Sequence, residues 1–330
     1  MPKRFSSRFS ARCGSPPTRN DEGTEHARQL EFRNGTMPRR RGRRAQTTPM
    51  SSGRLPQLSR RQWLASAAGI VVAGTATNAF AIEPGRVVVT RHRVGSVSGS
   101  TPIRLTQLSD LHLQSIGRHE ERIAHEVAAL QPQLILVTGD AIDRAGNVGI
   151  LDRFLALLPP VSKLAILGNW EYWGGVDRTA LSRVYEKWNG RLLRNESTSL
   201  WFGQYHLVVT GLDDLVGGRP DSTAAFADLG AVPNHLLLAH CPMHRDVYRA
   251  TMPAPHPAPH LMLAGHTHGG QIAPLGWALW RPRGSGRYVR GWYRDDPTAM
   301  YVSRGLGTSV LPARLGAVPE IAHFEWVLTA

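Results

Sequence analysis

Five short apolar runs recur along the chain, and each is followed at once by Asp, Asn or His. Ile103 to Leu108 runs into Ser109-Asp110-Leu111-His112, and Leu134 to Thr138 ends in Gly139-Asp140 with Asp143 three residues on. Leu164 to Leu167 delivers Gly168-Asn169-Trp170-Glu171, Leu236 to Ala239 delivers His240, and Leu261 to Ala264 delivers Gly265-His266-Thr267-His268-Gly269-Gly270-Gln271. Continuous apolar runs of this length predict strands buried on both faces. Between several of them lie helix-like stretches, Glu120 to Leu130 and Arg178 to Trp188. Strands alternating with helices predict an α/β fold with parallel pairing, whose ligands bind at the carboxyl ends of the strands. The polar residues after the five runs should therefore converge. An isolated Asp or Asn there would read as a turn residue or helix cap; five in the same position make a pattern.

The residue types suit divalent metals. Imidazole binds borderline metals, and the glycines around His266 and His268 let the backbone turn tightly enough for both rings to reach one centre or two adjacent ones. Carboxylate, amide oxygen and imidazole without thiolate suit Mn, Fe, Zn or Mg and exclude an iron–sulfur cluster.

The order DxH, GDxxD, GN, H, GHxH resembles the calcineurin-like metallophosphoesterase superfamily, from about Val87 to Leu328. Within it, Ser303-Arg304-Gly305-Leu306-Gly307-Thr308-Ser309, the Gly211-Leu212-Asp213-Asp214 element and the GHTHGGQ ending are similar to the exported, YkuE-like and YaeI-like phosphodiesterase branch. The resemblance implies an α/β fold of four αββα layers, two mixed β-sheets flanked by helices. It places one metal on Asp110, His112, Asp140 and His268, and a second on Asp140, Asn169, His240 and His266, with the Asp140 carboxylate shared. Asp140, Asn169 and His266 are the expected catalytic residues, serving a hydroxide that bridges two divalent ions and attacks a phosphate ester. Asp143 is read either as the acceptor that orients His112 or as a helix N-cap.

One position departs from the family pattern. Most members carry His after the GN pair, as a leaving-group acid or phosphate contact, and here that place is Trp170. Trp cannot donate that proton, and a general acid typically contributes about 10²- to 10⁴-fold. Good leaving groups suffer least from its loss. That keeps open a UDP-2,3-diacylglucosamine-type pyrophosphatase acting in lipid A synthesis, and also a non-catalytic metal-dependent binder of a phospholipid or wall polymer. His119, His244 and Arg245 are the candidates to replace the acid, each otherwise a surface residue. Trp170, Tyr172 and Trp173 together read either as an aromatic wall or as plain packing.

Composition first suggests a nucleic-acid binder, with 39 basic against 25 acidic residues and a net charge of +14. The distribution removes that reading. Residues 1–61 hold 15 Lys or Arg and 4 Asp or Glu, and from Ile82 onward the net is only +3. No nucleic acid is expected, and the substrate partner is a phosphodiester or pyrophosphate, including lipid- or envelope-linked ones. Ser59-Arg60-Arg61 precedes an uncharged, mildly apolar run that ends in Ala79-Phe80-Ala81, the pattern of a twin-arginine export signal. The run is short and rich in small residues for a membrane span. An uncut anchor is the alternative to cleavage. The organisation expected is a basic, disordered segment or misassigned start at 1–49, a signal at 50–81 that engages the twin-arginine translocase, and a phosphoesterase domain at 82–330, exported to the periplasm or the outer face of the cytoplasmic membrane as a monomer. Cys241 then lacks a disulfide partner and reads as a small buried thiol. Met252 to His260 reads as a surface loop, and Trp277 to Tyr293 as a pocket cap or an ordinary connection.

Overall fold

A computed structural model describes residues 58–95, 102–227, 229–230, 232–251, 258–295 and 297–329. The expected segment at 1–49, the start of the signal at 50–57 and most of the Met252 to His260 loop lie outside them. Twelve strands form two six-stranded sheets in these residues. In the first the order is β1 (Val88–Val94), β12 (Glu320–Trp326), β2 (Ile103–Leu108), β3 (Leu134–Thr138), β4 (Ser162–Ile166), β5 (Gly190–Leu192). In the second it is β10 (Gly291–Tyr293), β11 (Ala299–Val302), β9 (Leu261–Ala264), β8 (His235–Leu238), β7 (Tyr205–Gly211), β6 (Glu196–Phe202). Both are mixed: β2, β3, β4 and β5 run parallel beside an antiparallel β12, and β7, β8, β9 and β11 run parallel between antiparallel β6 and β10.

The continuous apolar runs are explained by burial on both faces. Leu134 and Leu136 of β3 point into the core between the sheets, against Leu236, Leu238, Leu261 and Leu263. Ile135 and Val137, alternating with them, pack outward under α2 (Arg118–Ala129), α3 (Val148–Leu157) and α5 (Arg178–Lys187) through Ile123, Leu151 and Leu181. On the outer face of the second sheet, Leu237 and Met262 pack with Phe226 of α6 (Ser222–Phe226) and Tyr248 of α7 (His244–Thr251). The result is the αββα sandwich expected. Full burial of one such Leu or Ile contributes about 1.5–3 kcal/mol, so strands this apolar cannot slip register without exposing several side chains.

The sandwich is closed at one end by polar links between its sheets. Gln107 Nε2 at the end of β2 donates to Thr138 Oγ1 of β3 at 2.9 Å and to the carbonyl of Ala264, the last residue of β9, at 3.0 Å. This is the end at which β2, β3, β4, β8 and β9 all finish. Residues Arg60–Thr77 form α1, helical turns continue to Gly85, and none of the α1 side chains is buried. Arg60–Gly85, 26 residues with an 18-residue stretch of mean hydropathy 1.5, is long and apolar enough to cross a membrane, a property that signal sequences share. It is longer than the sequence suggested, because the helix continues through Asn78–Ile82 to Pro84.

Candidate metal centre

Each candidate ligand leaves its strand within a few residues, and most do so in a backbone conformation that costs energy. Asp110, His112, Asp140, His266 and His268 all have positive φ, between 46° and 71°. Non-glycine residues are held in such conformations only where the surroundings over-determine them, and they cluster at functional sites. Here the surroundings are identifiable. The Asp110 N–H bonds the Gly139 carbonyl and the His112 N–H the Asp140 carbonyl, while the His266 N–H bonds Asp110 Oδ1 at 2.9 Å. Two glycines make the approach possible: a Cβ on Gly265 would lie 1.9 Å from Ser109 Oγ, and one on Gly168 would lie 2.2 Å from Asp140 Oδ1.

The donors fall into two buried groups. Asp110, His112 and His268 form one, and Asp140, His240 and His266 the other. In the first, His112 Nε2 and His268 Nε2 are 3.0 Å apart and Asp110 Oδ1 is 3.5 Å from His268 Nε2. In the second, His240 Nε2 lies 3.1 Å from Asp140 Oδ2 and 3.2 Å from His266 Nδ1. Asp140 Oδ2 is also 3.9 Å from His112 Nε2, which puts this carboxylate between the groups. Asn169 begins α4 (Asn169–Trp173), is buried and lines the same cavity as Asp140, His266 and His268. All seven expected ligands are thus brought to one place.

The outer partners of the rings fix where their protons sit. His240 Nδ1 donates to the Thr138 carbonyl at 2.8 Å and His266 Nε2 to the Arg283 carbonyl at 2.7 Å, so the nitrogens facing each other are the ones left to meet a cation. His112 Nδ1 bonds Asp143, which leaves its Nε2 turned towards His268. Asp143 therefore orients a ring, and the N-cap of the following helix is Asn147 instead. Ring nitrogens crowded this closely beside carboxylates need a cation among them, a proton or a metal. The buried Asn169 Oδ1, without a hydrogen-bond partner among the described residues, is a further donor set aside. By donor chemistry and geometry the residues fit two divalent ions.

The charges agree. Burial works against ionisation of Asp140, yet the charge of His240 outweighs it and holds the carboxyl at about 2, the anionic form a cation needs. Burial, then the charges of His112 and Arg314, keep His268 well below the usual imidazole range and so neutral. Arg314 Nη2 lies 3.3 Å from His268 Nδ1 and can only donate, which places the ring proton on Nε2, the nitrogen that would face a bound metal.

Three features were not foreseen. Glu171 accepts the backbone N–H groups of Asp140, Ala141, Ile142 and Gly168 at 2.6–3.2 Å, tying the end of β3 to the end of β4. Burial, reinforced by the charge of Asp140, pushes its carboxyl up to about 7. Arg314, fully buried, donates to the carbonyls of Gly307, Arg304 and Ala317 and so fastens the last loop behind His268. A Glu three residues after a glycine that opens a helix was a signal for the first; nothing in the sequence around Arg314 marks the second. The third concerns the aromatic wall. Trp170 and Trp173 line the cavity, with rings 5.5 Å apart, but the Tyr172 hydroxyl bonds Asp213 elsewhere. On a helix, residues three apart share a face and the one between them does not.

Trp170 stands over His112 with ring centroids 5.9 Å apart, and its backbone N–H donates to Asp140 Oδ1 at 2.9 Å. None of His119, His244 and Arg245 lines the cavity, and His244 and Arg245 are buried, not on the surface. The face of α7 that carries them, with Tyr248, is turned inward. Cys241 is a buried free thiol bonded to Asp214 Oδ1 at 3.2 Å, as its position suggested. Asp214 also accepts the N–H of Val216 at 2.8 Å and shapes the loop that brings Val216 into the cavity.

Residues 103–270 match the calcineurin-like phosphoesterase family. The chain belongs to that family. This calcineurin-like phosphoesterase is 31% identical over 288 residues to the uncharacterized metallophosphoesterase YkuE of Bacillus subtilis (strain 168), covering 82% of this chain and 98% of that protein. It is 30% identical over 281 residues to the phosphodiesterase YaeI of Escherichia coli (strain K12), covering 82% of this chain and all of that protein. The enzyme is a metal-dependent phosphoester hydrolase. Family membership and the two His/Asp groups together indicate a dinuclear metal centre.

Proposed function

We propose that this phosphoesterase is a phosphodiesterase, with Asp110, His112, Asp140 and His268 holding one divalent ion and Asp140, Asn169, His240 and His266 a second. The observation that carries the reading is the cavity beside the two groups. It measures about 740 Å³, its walls include Trp170, Trp173, Ile272, Leu279 and Trp280, and Arg283 is its cationic lining residue among those described. A diester brings one negative charge and two substituents, which suits such a cavity better than a monoester dianion. YaeI, similar along its whole length, is named a phosphodiesterase. Two bound ions would supply a water of lowered pKa and positive charge for the phosphoryl oxygens. The chain's own residues keep the Asp140 carboxylate ionised and shared, hold the His240 and His266 rings by backbone carbonyls, and exclude water with the Trp170 ring.

The full chain loaded with Mn should hydrolyse bis-p-nitrophenyl phosphate faster than p-nitrophenyl phosphate. Two metals bound per chain with the diester intact would instead mark a binder. Trp170 supports a second reading, cleavage of a pyrophosphate in a UDP-linked acyl sugar, whose leaving group needs no acid; adding UDP-2,3-diacylglucosamine to the assay decides it. Export by the twin-arginine route is part of the proposal, because Arg60-Arg61 opens the apolar helix α1. Replacing both with Lys should keep the protein out of the periplasm, as read by cell fractionation.

A further inference from the structure

Two loops beside the cavity carry apolar side chains almost wholly in solvent. On the first, Leu275 is 99% and Trp277 79% exposed, and Leu279 and Trp280 follow; on the second, Val310 is 90% exposed. Apart from these loops, the segment from Leu58 through α1 and the turns that follow it, and the cavity wall, Leu157 and Trp201 are the exposed large apolar residues among those described. The loops are stitched together. Gln271 Nε2 donates to the carbonyls of Ser309 at 3.0 Å and Leu311 at 2.9 Å, and Ala273 N–H to Leu315 O at 2.6 Å.

The apolar helix is joined to the same piece of backbone. The Arg314 N–H donates to the Ala79 carbonyl at 2.9 Å, and the Ala317 N–H to Glu83 Oε1 at 2.7 Å. The eighteen residues of α1 span about 27 Å, close to the thickness of a bilayer's hydrocarbon core. A helix uncharged after Arg61, with no polar face and no buried side chain, fits a membrane span. Its membrane-proximal end thus meets the loops at the cavity mouth. Trp and Arg are the residues that settle at the lipid headgroup level, and Trp277, Trp280, Arg281 and Arg283 are clustered there.

We propose that these loops form a membrane-docking surface, that α1 is retained as an anchor, and that the cavity opens onto the bilayer to take a phosphodiester carrying a long apolar chain. Within the Ala79-Phe80-Ala81 cleavage motif Phe80 and Ala81 are exposed, but Ala79 is buried with its carbonyl held by Arg314, and that tie supports retention. The apolar cavity walls take the chain, and the polar floor formed by Asp140, Asn169, His266 and His268 takes the phosphate. The substrate class rests on the phosphodiesterase reading; the docking does not.

The test uses the full chain in phosphatidylethanolamine/phosphatidylglycerol vesicles. A fluorescent NBD label at Val310→Cys, in a Cys13→Ser background, should shift to the blue and be quenched by brominated lipid. The same label at Trp201→Cys should do neither. A Val310→Cys label that stays in water overturns the docking and points to a second protein as the partner of the loops. Leu275→Asp/Trp277→Asp, both outside the cavity lining, should leave bis-p-nitrophenyl phosphate turnover unchanged. The same variant should lower turnover of vesicle-borne hexadecyl p-nitrophenyl phosphate about tenfold, the order expected when buried apolar contacts with lipid are lost. Equal turnover of the lipid-tailed ester by variant and parent overturns the proposed substrate route. If neither ester is cleaved by the parent protein, the phosphodiesterase reading fails, while the label still reports docking.

Discussion

The two halves of the centre are held by different chemistry. In the half built on Asp110, His112 and His268, the outer nitrogens of the rings meet charged side chains, Asp143 and Arg314. In the half built on His240 and His266, they meet the backbone carbonyls of Thr138 and Arg283. Carbonyls at strand ends move only if the sheet moves, whereas side chains can be exchanged one at a time. The second half is therefore set by the fold, and the first is tunable by single residues without disturbing the sandwich. Asp140 belongs to both, 3.1 Å from His240 and 3.9 Å from His112.

The sharpest way to break the comparison is to remove what the halves share. Asp140→Asn should lower hydrolysis of bis-p-nitrophenyl phosphate by at least about 10³-fold, because the charge that serves both ions is gone. Metal analysis should show fewer than two ions per chain, and full activity with two ions would end the shared-carboxylate reading. Trp170→His comes next and runs in the opposite direction. Trp170 stands over the tunable half, and a His there restores a leaving-group acid, so turnover of an alkyl diester should rise about 10²-fold while that of the aryl diester changes little. Equal gains on both esters would show that the replaced group acts on binding instead.

The backbone-held half can be reached only through the backbone. Gly139 has φ 85°, and a Cβ there would lie 2.5 Å from His240 Nδ1 and 2.8 Å from the Gly168 nitrogen. Gly139→Ala should push His240 off the Thr138 carbonyl and lower turnover about 10²-fold, the cost of misplacing a reacting group by about an ångström. Spectra of a Co-loaded sample should report a change at one of the two ions. Unaltered spectra with full turnover would mean that the strand end is not the rigid element described.

Much of this was legible in the sequence for a physical reason. The strands that carry ligands are buried on both faces, so their apolar runs have sharp ends; β2, β3 and β9 begin and finish where the runs do. β4 and β8 start a little earlier, at Ser162 and His235, because a buried polar residue can occupy a strand if it finds a partner, as His235 does in Thr210. The other strands were not read. β6, Glu196–Phe202, sits at a sheet edge with half-buried, mostly polar positions and carries no apolar run. The ligands were legible because Asp, Asn and His at five strand ends form one pattern. Their supports were not: Thr138 and His240 are 102 residues apart, and only the pairing of the sheets brings them together. For Trp170, Tyr172 and Trp173 the sequence leaves wall and packing open, and helix geometry divides them: Trp170 and Trp173 share the cavity face, and Tyr172 between them turns to Asp213.

The smallest expected effect tests the tunable half alone. Asp143 accepts from His112 Nδ1 and is itself held by Gln114 Nε2. An acceptor behind a ligand imidazole fixes its tautomer and raises its basicity, and removing such a group typically weakens metal binding by about 10- to 100-fold. Asp143→Ala should therefore lower affinity for one ion by that factor and leave the other unchanged, giving a two-step titration where the parent protein gives a narrower one. The half held by Thr138 and Arg283 has no equivalent side chain to remove, so its affinity is the internal reference. If both steps weaken together, the halves are coupled through Asp140 more tightly than their outer partners suggest. If neither moves, the ring is held by packing against His268, whose stacked ring lies 4.9 Å away, and the carboxylate behind it is a bystander.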